Sequence, residues 1–284
     1  MLQLSFESPL VMGIVNVTPD SFYVQSRCTT EAALIERVQQ LAGDGAGCID
    51  VGGCSTRPGF PVATEAEEYQ RLAYALKIIR THFPTLPLSV DTFRAGIVQR
   101  LYEQYGAFIV NDISAGEDDS AMIATVARLQ LPYIAMHKRG NPQTMQHLTE
   151  YTDVVADVKA CLQQKLAELH AQGVSQVIID PGFGFAKTVE QNYALLRNLR
   201  EFTTLDAPLL AGLSRKSLLW KPLQSTPEEM LCATSAVHLY ALLHGANILR
   251  VHDVKEARQM IVLSRLLSVE SGKWKMATSA LFKV

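Results

Sequence analysis

Short apolar runs alternate with longer amphipathic stretches along this chain, and that alternation limits the folds it can adopt. We predict eight strands, at residues 11–15, 48–51, 88–90, 108–111, 132–136, 176–179, 208–212 and 247–251. The helical spacing of apolar residues predicts helices near residues 30–43, 64–82, 94–105, 119–130, 153–172, 189–201, 227–244 and 254–267. Because strands that are apolar throughout are typical of parallel sheets covered on both faces, the sequence predicts an α/β fold.

Polar residues follow nearly every predicted strand, and examples are Asn16, Asp91, Asn111, Asp180 and His252. In a closed barrel these positions meet at one rim, where barrel enzymes have their active sites, whereas an open sheet would spread them along a line. The number of strands also favours closure. We therefore predict a single (β/α)8 TIM barrel domain over residues 1–284, with its core at about 10–267 and a C-terminal tail at 268–284.

Three predicted helices begin with the spacing of a capping box, in which Thr or Asp is followed three residues later by Glu. The pairs are Thr64 with Glu67, Thr226 with Glu229, and Asp253 with Glu256. In a capping box the two side chains bind backbone N–H groups that the first helical turn leaves without partners. The spacing therefore predicts where these helices start.

The composition indicates which binding partners and which cell compartment to expect. The formal net charge of −2 offers no reason to expect nucleic acid or an anionic membrane as a partner. The 5 cysteines are scattered and form no C-x-x-C pair, which is typical of a protein in a reducing compartment. No apolar run approaches the roughly 20 residues that a membrane span requires. We predict a cytoplasmic protein that acts on small molecules.

Two aspartates and an asparagine stand at predicted strand ends, namely Asp91 in LSVDTFR, Asp180 in IIDPGFGFAK and Asn111 in IVNDISAG. The edge of a 2-aminopyrimidinone presents two adjacent N–H donors, and one carboxylate accepts both in a forked, charge-assisted arrangement. These three residues therefore predict a rim that binds the hydrogen-bonding edge of a pterin or purine ring. The alternative is that each carboxylate only orients neighbouring side chains.

Cations follow the last two predicted strands. Arg215 and Lys216 are adjacent in AGLSRKS, and Arg250 and His252 in LRVHDV point to the same side of their strand. Asp253 is predicted to cap the next helix, whose N–H groups favour an anion. Because the loops after the last two strands of many barrels hold phosphate, Arg250 and His252 are predicted to bind pyrophosphate. The alternative for His252 is a satisfied core residue.

Two loops add further candidates. Asn16 begins NVTPDSF, and its amide oxygen suits Mg²⁺ that is already bound by phosphate. Thr56 and Arg57 lie in GGCSTRPG, where a hydroxyl and a permanent cation indicate an anion or a planar polar ligand. Either loop is also compatible with a turn of no chemical importance. A third basic loop, at 132–145, contains His137, Lys138 and Arg139, and for these side chains we favour solvation over anion binding.

The motifs together resemble one enzyme family. In order and spacing, the segments NVTPDSF, GGCSTRPG, SVDT, VNDISAG, DPGFGFAK, GLSRKS and RVHDV resemble those of dihydropteroate synthases, over about residues 10–267. The resemblance implies a TIM barrel transferase of folate biosynthesis. Such an enzyme joins 6-hydroxymethyl-7,8-dihydropterin pyrophosphate to p-aminobenzoate and releases 7,8-dihydropteroate and pyrophosphate. The resemblance also implies Mg²⁺ as cofactor, a homodimer, and competition by sulfonamides.

The resemblance assigns roles residue by residue. Asn16 would contact Mg²⁺, and the pterin site would be lined by Thr56, Asp91, Asn111, Asp180 and Lys216, with Met136 and Phe185 packed beside the ring. Arg250 and His252 would hold the diphosphate. The p-aminobenzoate site would be completed by Phe22, Arg57, Pro58 and Ser217. The residues predicted to be catalytic are Asp91, Asp180, Lys216, Arg250 and His252.

Two segments differ from the family pattern. The first loop continues after Phe22 with Tyr23, Val24, Gln25 and Ser26 in place of a Ser-Asp-Gly-Gly type run, and Cys54 stands where the second loop commonly has Glu. The altered first loop keeps one alternative open, a pterin-binding paralogue without synthase activity. A second alternative is the related barrel that transfers a methyl group from a pterin cofactor to a corrinoid protein, which would have less use for STRPG, SRK and a diphosphate-binding R-x-H.

Overall fold

Parallel strands form the centre of the molecule. A computed structural model describes residues 8–18, 30–54, 62–141 and 143–268. Within them the strands are β1 (Leu10–Asn16), β2 (Cys48–Gly52), β3 (Leu88–Asp91), β4 (Ile109–Asp112), β5 (Tyr133–Met136), β6 (Val177–Asp180), β7 (Leu210–Ala211) and β8 (Ile248–Val251). All of the strand pairs are parallel, in the order β6-β5-β4-β3-β2-β1-β8-β7. All eight predicted strands are therefore confirmed.

The two ends of this sheet meet and nearly close a barrel. Ile179 of β6 forms a parallel bridge with Leu209, which directly precedes β7. The N–H of Ile179 donates to the carbonyl oxygen of Pro208 at 2.9 Å. β7 is shorter than predicted, and Pro208 has no N–H to contribute to a ladder. The predicted TIM barrel is confirmed.

Helices follow the strands and cover the outside of the barrel. In the described ranges they are α1 (Glu31–Gly43), α2 (Glu65–His82), α3 (Ala95–Tyr105), α4 (Met122–Leu129), α5 (Val154–Ala171), α6 (Val189–Arg197), α7 (Ser217–Trp220), α8 (Leu231–Leu243) and α9 (Val254–Leu267). The short α7 was not predicted. The helix predicted at 227–244 is divided, because a 3₁₀ turn at Pro227–Glu229 precedes α8. None of the described helices is long and apolar enough to cross a membrane.

The predicted capping boxes have different outcomes. Thr64 and Glu67 form both bonds of the box at the start of α2, as predicted. The Thr226 side chain makes no capping bond, so that prediction is wrong. The prediction for Asp253 is also wrong, because its carboxylate binds Arg215 instead of the N–H groups of α9. A further box, of Thr188 with Gln191, starts α6.

Because Thr64 forms a helix cap and Thr226 does not, we predict unequal effects for two similar substitutions. Thr64→Ala removes a formed cap, and we expect the free energy of unfolding to fall by about 1 kcal/mol. Thr226→Ala is the matched control, since it removes the same side chain where no capping bond exists. Urea denaturation of both variants measures the difference. Equal losses would contradict the assignment of the caps.

Apolar residues fill one end of the barrel interior and leave the other end polar. A buried cluster comprises Met12, Cys48, Ile109, Ile134, Ile178, Leu210 and Ile248. Side chains two residues further along a strand lie on the same face, towards the C-terminal rim. On four of these strands that position is polar and is occupied by Asp50, Asn111, Asp180 and Arg250. The strands therefore present polar groups to the rim, above an apolar floor.

Candidate active site

Three of four neighbouring strands place a polar residue at the rim, and the fourth places a glycine there. Asn16 pairs with Gly52, Gly52 with Asp91, and Asp91 with Asn111 in the register of the sheet. A Cβ atom on Gly52 would lie 3.2 Å from the amide oxygen of Asn16 and 3.8 Å from Oδ2 of Asp91. The absent side chain at Gly52 therefore leaves room for Asn16 and Asp91 to face a common space.

Arg250 connects two carboxylates across the barrel. Its Nε donates to Oδ2 of Asp50 at 2.6 Å, and one terminal nitrogen donates to Oδ2 of Asp91 at 2.8 Å. The amide of Asn111 also donates to Oδ2 of Asp50, at 3.1 Å. Asp50 was not predicted as a site residue. Its signal was a carboxylate inside the apolar strand CIDVG, because an Asp is rarely buried without a partner.

The charges in this cluster depend on one another. Burial raises the pKa of Asp91 to about 7, and the carboxylate of Asp50 adds to this effect against the opposing charge of Arg250. Burial disfavours the guanidinium of Arg250, but Asp50 and Asp91 outweigh burial and raise the pKa of Arg250. Two carboxylates thus share one permanent cation, and Asp91 holds its proton more readily than an exposed aspartate.

Asp180 and Lys216 form the other side of the site at the C-terminal rim. The N–H of Gly182 donates to Oδ1 of Asp180 at 2.8 Å, and the ammonium of Lys216 donates to the carbonyl oxygen of Phe183 at 2.6 Å. Burial raises the pKa of Asp180, while the charges of Lys216 and Arg250 oppose that rise. Burial lowers the pKa of Lys216 to about 8. Asp180 and Arg250 therefore act on each other within one site.

Ser214 contacts both the backbone and the ring of His252. The Ser214 hydroxyl accepts from the backbone N–H of His252 at 3.2 Å, and it lies 3.0 Å from Nδ1 of the ring. The hydroxyl has one proton of its own to donate, and we assign this proton to Nδ1 and the ring proton to Nε2. Burial, with Arg250 and Arg215 nearby, lowers the pKa of His252 to about 3. The ring is a neutral donor at ordinary pH.

Arg215 forms hydrogen bonds and an ion pair that stabilise the loops around it. Its guanidinium forms a forked pair with Asp253, at 2.8 and 2.9 Å, and donates to the carbonyl oxygens of Pro227 and Glu228. Although adjacent in sequence, Arg215 and Lys216 thus have different surroundings. Arg215 joins the loops that follow β7 and β8, whereas Lys216 contacts the loop that follows β6.

The loop after β5 is not solvated as the sequence suggested. His137 and Lys138 are buried, and the ammonium of Lys138 pairs with Asp118 at 2.5 Å. Arg139 is partly exposed and stacks over the ring of Tyr151. The preference for solvation is therefore wrong for the first two residues. Gly and Pro in a segment indicate a loop but do not indicate how deeply its side chains are buried.

Several predicted residues lie outside the described part of the chain. These are Phe22, Thr56, Arg57 and Pro58, together with Tyr23, Val24, Gln25 and Ser26 of the atypical first loop. Ser217 is described and begins α7, directly after Lys216. Cys54 is partly buried, and burial and the carboxylate of Glu68 raise the pKa of its thiol. The tail predicted at 268–284 is described only at Ser268.

The fold and the site define a class of protein. At the C-terminal rim of a (β/α)8 barrel, carboxylates and an amide suited to a flat heterocycle lie beside cations suited to an anion. This combination is typical of a barrel enzyme whose substrate joins a polar ring to a phosphate group. The described residues contain no cluster of three or more His, Cys, Asp and Glu that could hold a metal ion.

Comparison with known proteins gives the family. Residues 12–252 match the model described as "Pterin binding enzyme". The chain is 40% identical to the dihydropteroate synthase of Escherichia coli K12, covering 95% of this chain and 96% of that one. It is 41% identical to the Synechocystis enzyme of the same name, covering 88% and 87%. The chain therefore belongs to the dihydropteroate synthase family of pterin-binding enzymes.

Solved structures agree with this assignment. A Yersinia pestis dihydropteroate synthase with a sulfonamide drug complex is 35% identical and superposes with a TM-score of 0.88, covering 94% of this chain and 96% of that one. A Xanthomonas albilineans dihydropteroate synthase with 4-aminobenzoic acid is 37% identical, with a TM-score of 0.84 and the same coverage. A Coxiella burnetii dihydropteroate synthase in complex with pteroic acid is 31% identical, also with a TM-score of 0.84 and the same coverage.

Proposed function

We propose that this chain is a transferase that condenses 6-hydroxymethyl-7,8-dihydropterin pyrophosphate with p-aminobenzoate, giving 7,8-dihydropteroate and pyrophosphate. The observation that carries the proposal is that Asp180 and Arg250 stand at equivalent positions of β6 and β8, each two residues beyond a residue of the buried apolar cluster, so that both face the C-terminal rim. A carboxylate that binds the ring and a cation that receives the departing anion must share one rim to serve one small substrate.

Asp180 would read the amino-pyrimidinone edge of the pterin. Its Oδ1 already accepts from Gly182, so the remaining lone pairs of the carboxylate would accept the two ring donors. Lys216 would orient the ring through its oxygen and nitrogen acceptors. Asn111 and Asp91, fixed by Asp50 and Arg250, would complete the polar lining. Met136 and Phe185 would pack beside the ring.

The diphosphate would lie towards β8. Arg250 supplies a permanent cation, and neutral His252 would donate from Nε2 to a phosphate oxygen. Asn16 would hold Mg²⁺, since a cation that is bound mainly by phosphate needs few protein ligands, and a neutral amide oxygen at the rim fits that requirement. When bound, Mg²⁺ would neutralise charge on the leaving pyrophosphate.

The reaction would be a displacement with strong dissociative character. The bond between the pterin methylene carbon and the diphosphate oxygen breaks, and pyrophosphate leaves with the electron pair while Arg250 and His252 stabilise it. The methylene cation is delocalised into the ring, near the carboxylates of Asp91 and Asp180. The amine of p-aminobenzoate then forms the new C–N bond and releases a proton. An arylamine needs no strong general base, so Lys216 orients the ring and forms no Schiff base.

Incubation with both substrates tests the proposal. Purified protein with pterin pyrophosphate, Mg²⁺ and p-aminobenzoate should release dihydropteroate and pyrophosphate in equal amounts. Tight pterin binding without turnover would instead identify a non-catalytic paralogue. Methyl transfer from a pterin cofactor would support the other alternative, the related methyltransferase.

His252 provides a test of the diphosphate site. We expect His252→Ala to weaken the binding of pterin pyrophosphate by about tenfold, because a donor to a charged oxygen is lost. Binding of 6-hydroxymethylpterin, which lacks the diphosphate, should remain within about twofold of wild type. Calorimetry with both ligands makes the comparison. An equal loss for both ligands would contradict the assigned role.

Three further properties belong to the same proposal. Competition by sulfonamides is supported by the Yersinia pestis relative, whose structure was solved with such a drug. A homodimer and a cytoplasmic location are proposed from the family resemblance and from the scattered cysteines. If a sulfonamide inhibits turnover and p-aminobenzoate relieves the inhibition, competition is supported. Sedimentation would measure whether the chain forms a homodimer.

A further inference from the structure

Lys187 is a buried lysine at the end of the loop that follows β6. Its Nζ lies 3.0 Å from the carbonyl oxygens of Gly182 and Phe185 and 3.0 Å from Nδ1 of His137. An ammonium group has three N–H donors, and with the ring proton of His137 on Nε2 each of these donors has an acceptor here. We assign this state, a charged Lys187 beside a neutral His137 whose Nδ1 accepts.

These contacts hold the turn at residues 182–185 against the end of β5. A Cβ atom on Gly182 would lie only 2.0 Å from the carbonyl oxygen of His137, so the two segments touch through their backbones. Gly182 also has a φ of +70°, which an L side chain rarely adopts. Lys187 binds both segments at once, through Gly182 and through the ring of His137.

The same turn carries the groups on the Asp180 side of the site. Gly182 donates its N–H to Asp180, and Phe183 presents the carbonyl oxygen that binds Lys216. The ring centre of Phe185 lies 5.1 Å from Nζ of Lys216. Displacement of the turn would therefore move Asp180 and Lys216 together, although Lys187 itself need not touch a ligand.

We propose that Lys187 and His137 form a positioning pair for the pterin ring, in which the ammonium fixes the turn that orients Asp180 and Lys216. This inference rests on the proposed function, because it assumes that the ring binds at Asp180. The pair acts through other residues and is not catalytic.

The charges around Lys187 make its effect depend on pH. Burial lowers the pKa of Lys187 to about 7, with Asp180 opposing that change and Lys216 and Arg139 adding to it. Cys161 also faces Lys187 and favours its charge. Burial and the charges of Lys187 and Arg139 lower the pKa of His137 to about 3, so the ring stays neutral; Tyr151 packs against it. As the pH rises through about 7, Lys187 loses a donor, and pterin affinity should fall.

Calorimetric titration of 6-hydroxymethylpterin into wild type and Lys187→Met, between about pH 6 and pH 8, tests the inference. At the lower pH we expect the variant to bind about tenfold more weakly, since a buried charged donor is lost. The fall in affinity above pH 7 should be smaller in the variant. In turnover, the KM for pterin pyrophosphate should rise while the KM for p-aminobenzoate stays unchanged.

Lys138→Met is the matched control. Lys138 is also buried and paired, but its ammonium binds Asp118 and not the 182–185 turn, so pterin affinity and its pH profile should remain those of wild type. A folded Lys187→Met protein with wild-type affinity and pH profile would overturn the inference and leave the proposed function intact. Wild-type protein that binds no pterin would overturn both.

Two substitutions at His137 decide the question if Lys187→Met does not fold. Asparagine can place an acceptor oxygen close to the position of Nδ1, whereas leucine cannot accept. We expect His137→Asn to keep pterin affinity within about threefold of wild type and His137→Leu to lose about tenfold. Equal affinities of the two variants would show that packing alone matters, and the positioning pair would be rejected.

Discussion

Asp180→Asn is expected to reduce pterin binding by at least about a hundredfold. Two charge-assisted hydrogen bonds to the ring would be lost, each contributing about 1.5–3 kcal/mol. The amide oxygen of asparagine can still accept from Gly182, which keeps the loop in place. The other arm becomes an NH₂ donor that faces the donors of the ring. Calorimetry with 6-hydroxymethylpterin measures the loss.

Asp118→Asn is the control for this substitution. Asp118 is a rim carboxylate that pairs with Lys138, which is not one of the predicted site residues. Its replacement should leave pterin affinity within about twofold, because no hydrogen bond to the ligand is removed. Wild-type affinity in a folded Asp180→Asn variant would refute the assignment of the ring-reading carboxylate.

Arg250→Met is expected to abolish turnover and also to destabilise the protein. The side chain of Asp50 is 0% exposed and depends on Arg250 for its charge partner. Removal of one member of a buried ion pair typically costs about 3–5 kcal/mol, because the other charge remains buried. We expect the free energy of unfolding to fall by about 3 kcal/mol, the lower end of this range, since Arg250 itself keeps 21% of its side chain exposed. Urea denaturation measures this change.

A second substitution separates the two effects. The double variant Asp50→Asn, Arg250→Met removes the orphaned carboxylate, so most of the lost stability should return. Turnover should stay abolished, because the cation that receives pyrophosphate is still missing. Recovery of turnover together with stability would mean that Arg250 acts only through the fold.

Local patterns were sufficient to predict most of the architecture. Every predicted strand exists, and the polar residues that follow the strands, such as Asp91 and Asp180, do share one rim. The reason is that apolar periodicity and chain direction are local properties, and a parallel barrel brings all strand ends with the same direction together. The family motifs were also local, and the match over residues 12–252 confirms the resemblance.

Partners that are distant in the chain could not be predicted in this way. Asp50 and Arg250 are separated by 200 positions, and only closure of the barrel brings them together. Capping illustrates the same limit at short range. Thr64 and Asp253 both begin the sequence pattern of a capping box, but Asp253 forms an ion pair with Arg215, which stands 38 positions away.

The sequence by itself thus determined the barrel, its direction and the rim on which the chemistry lies, because these follow from continuous apolar strands, from the helical spacing of 3.6 residues and from the polar residues at the strand ends. The tertiary structure alone decided which charges share a partner and which lysines are buried. Lys187 and Lys138 both stand in loops that follow a strand, yet one binds the turn beside Asp180 and the other binds Asp118. Such choices depend on distances between loops that no local pattern encodes.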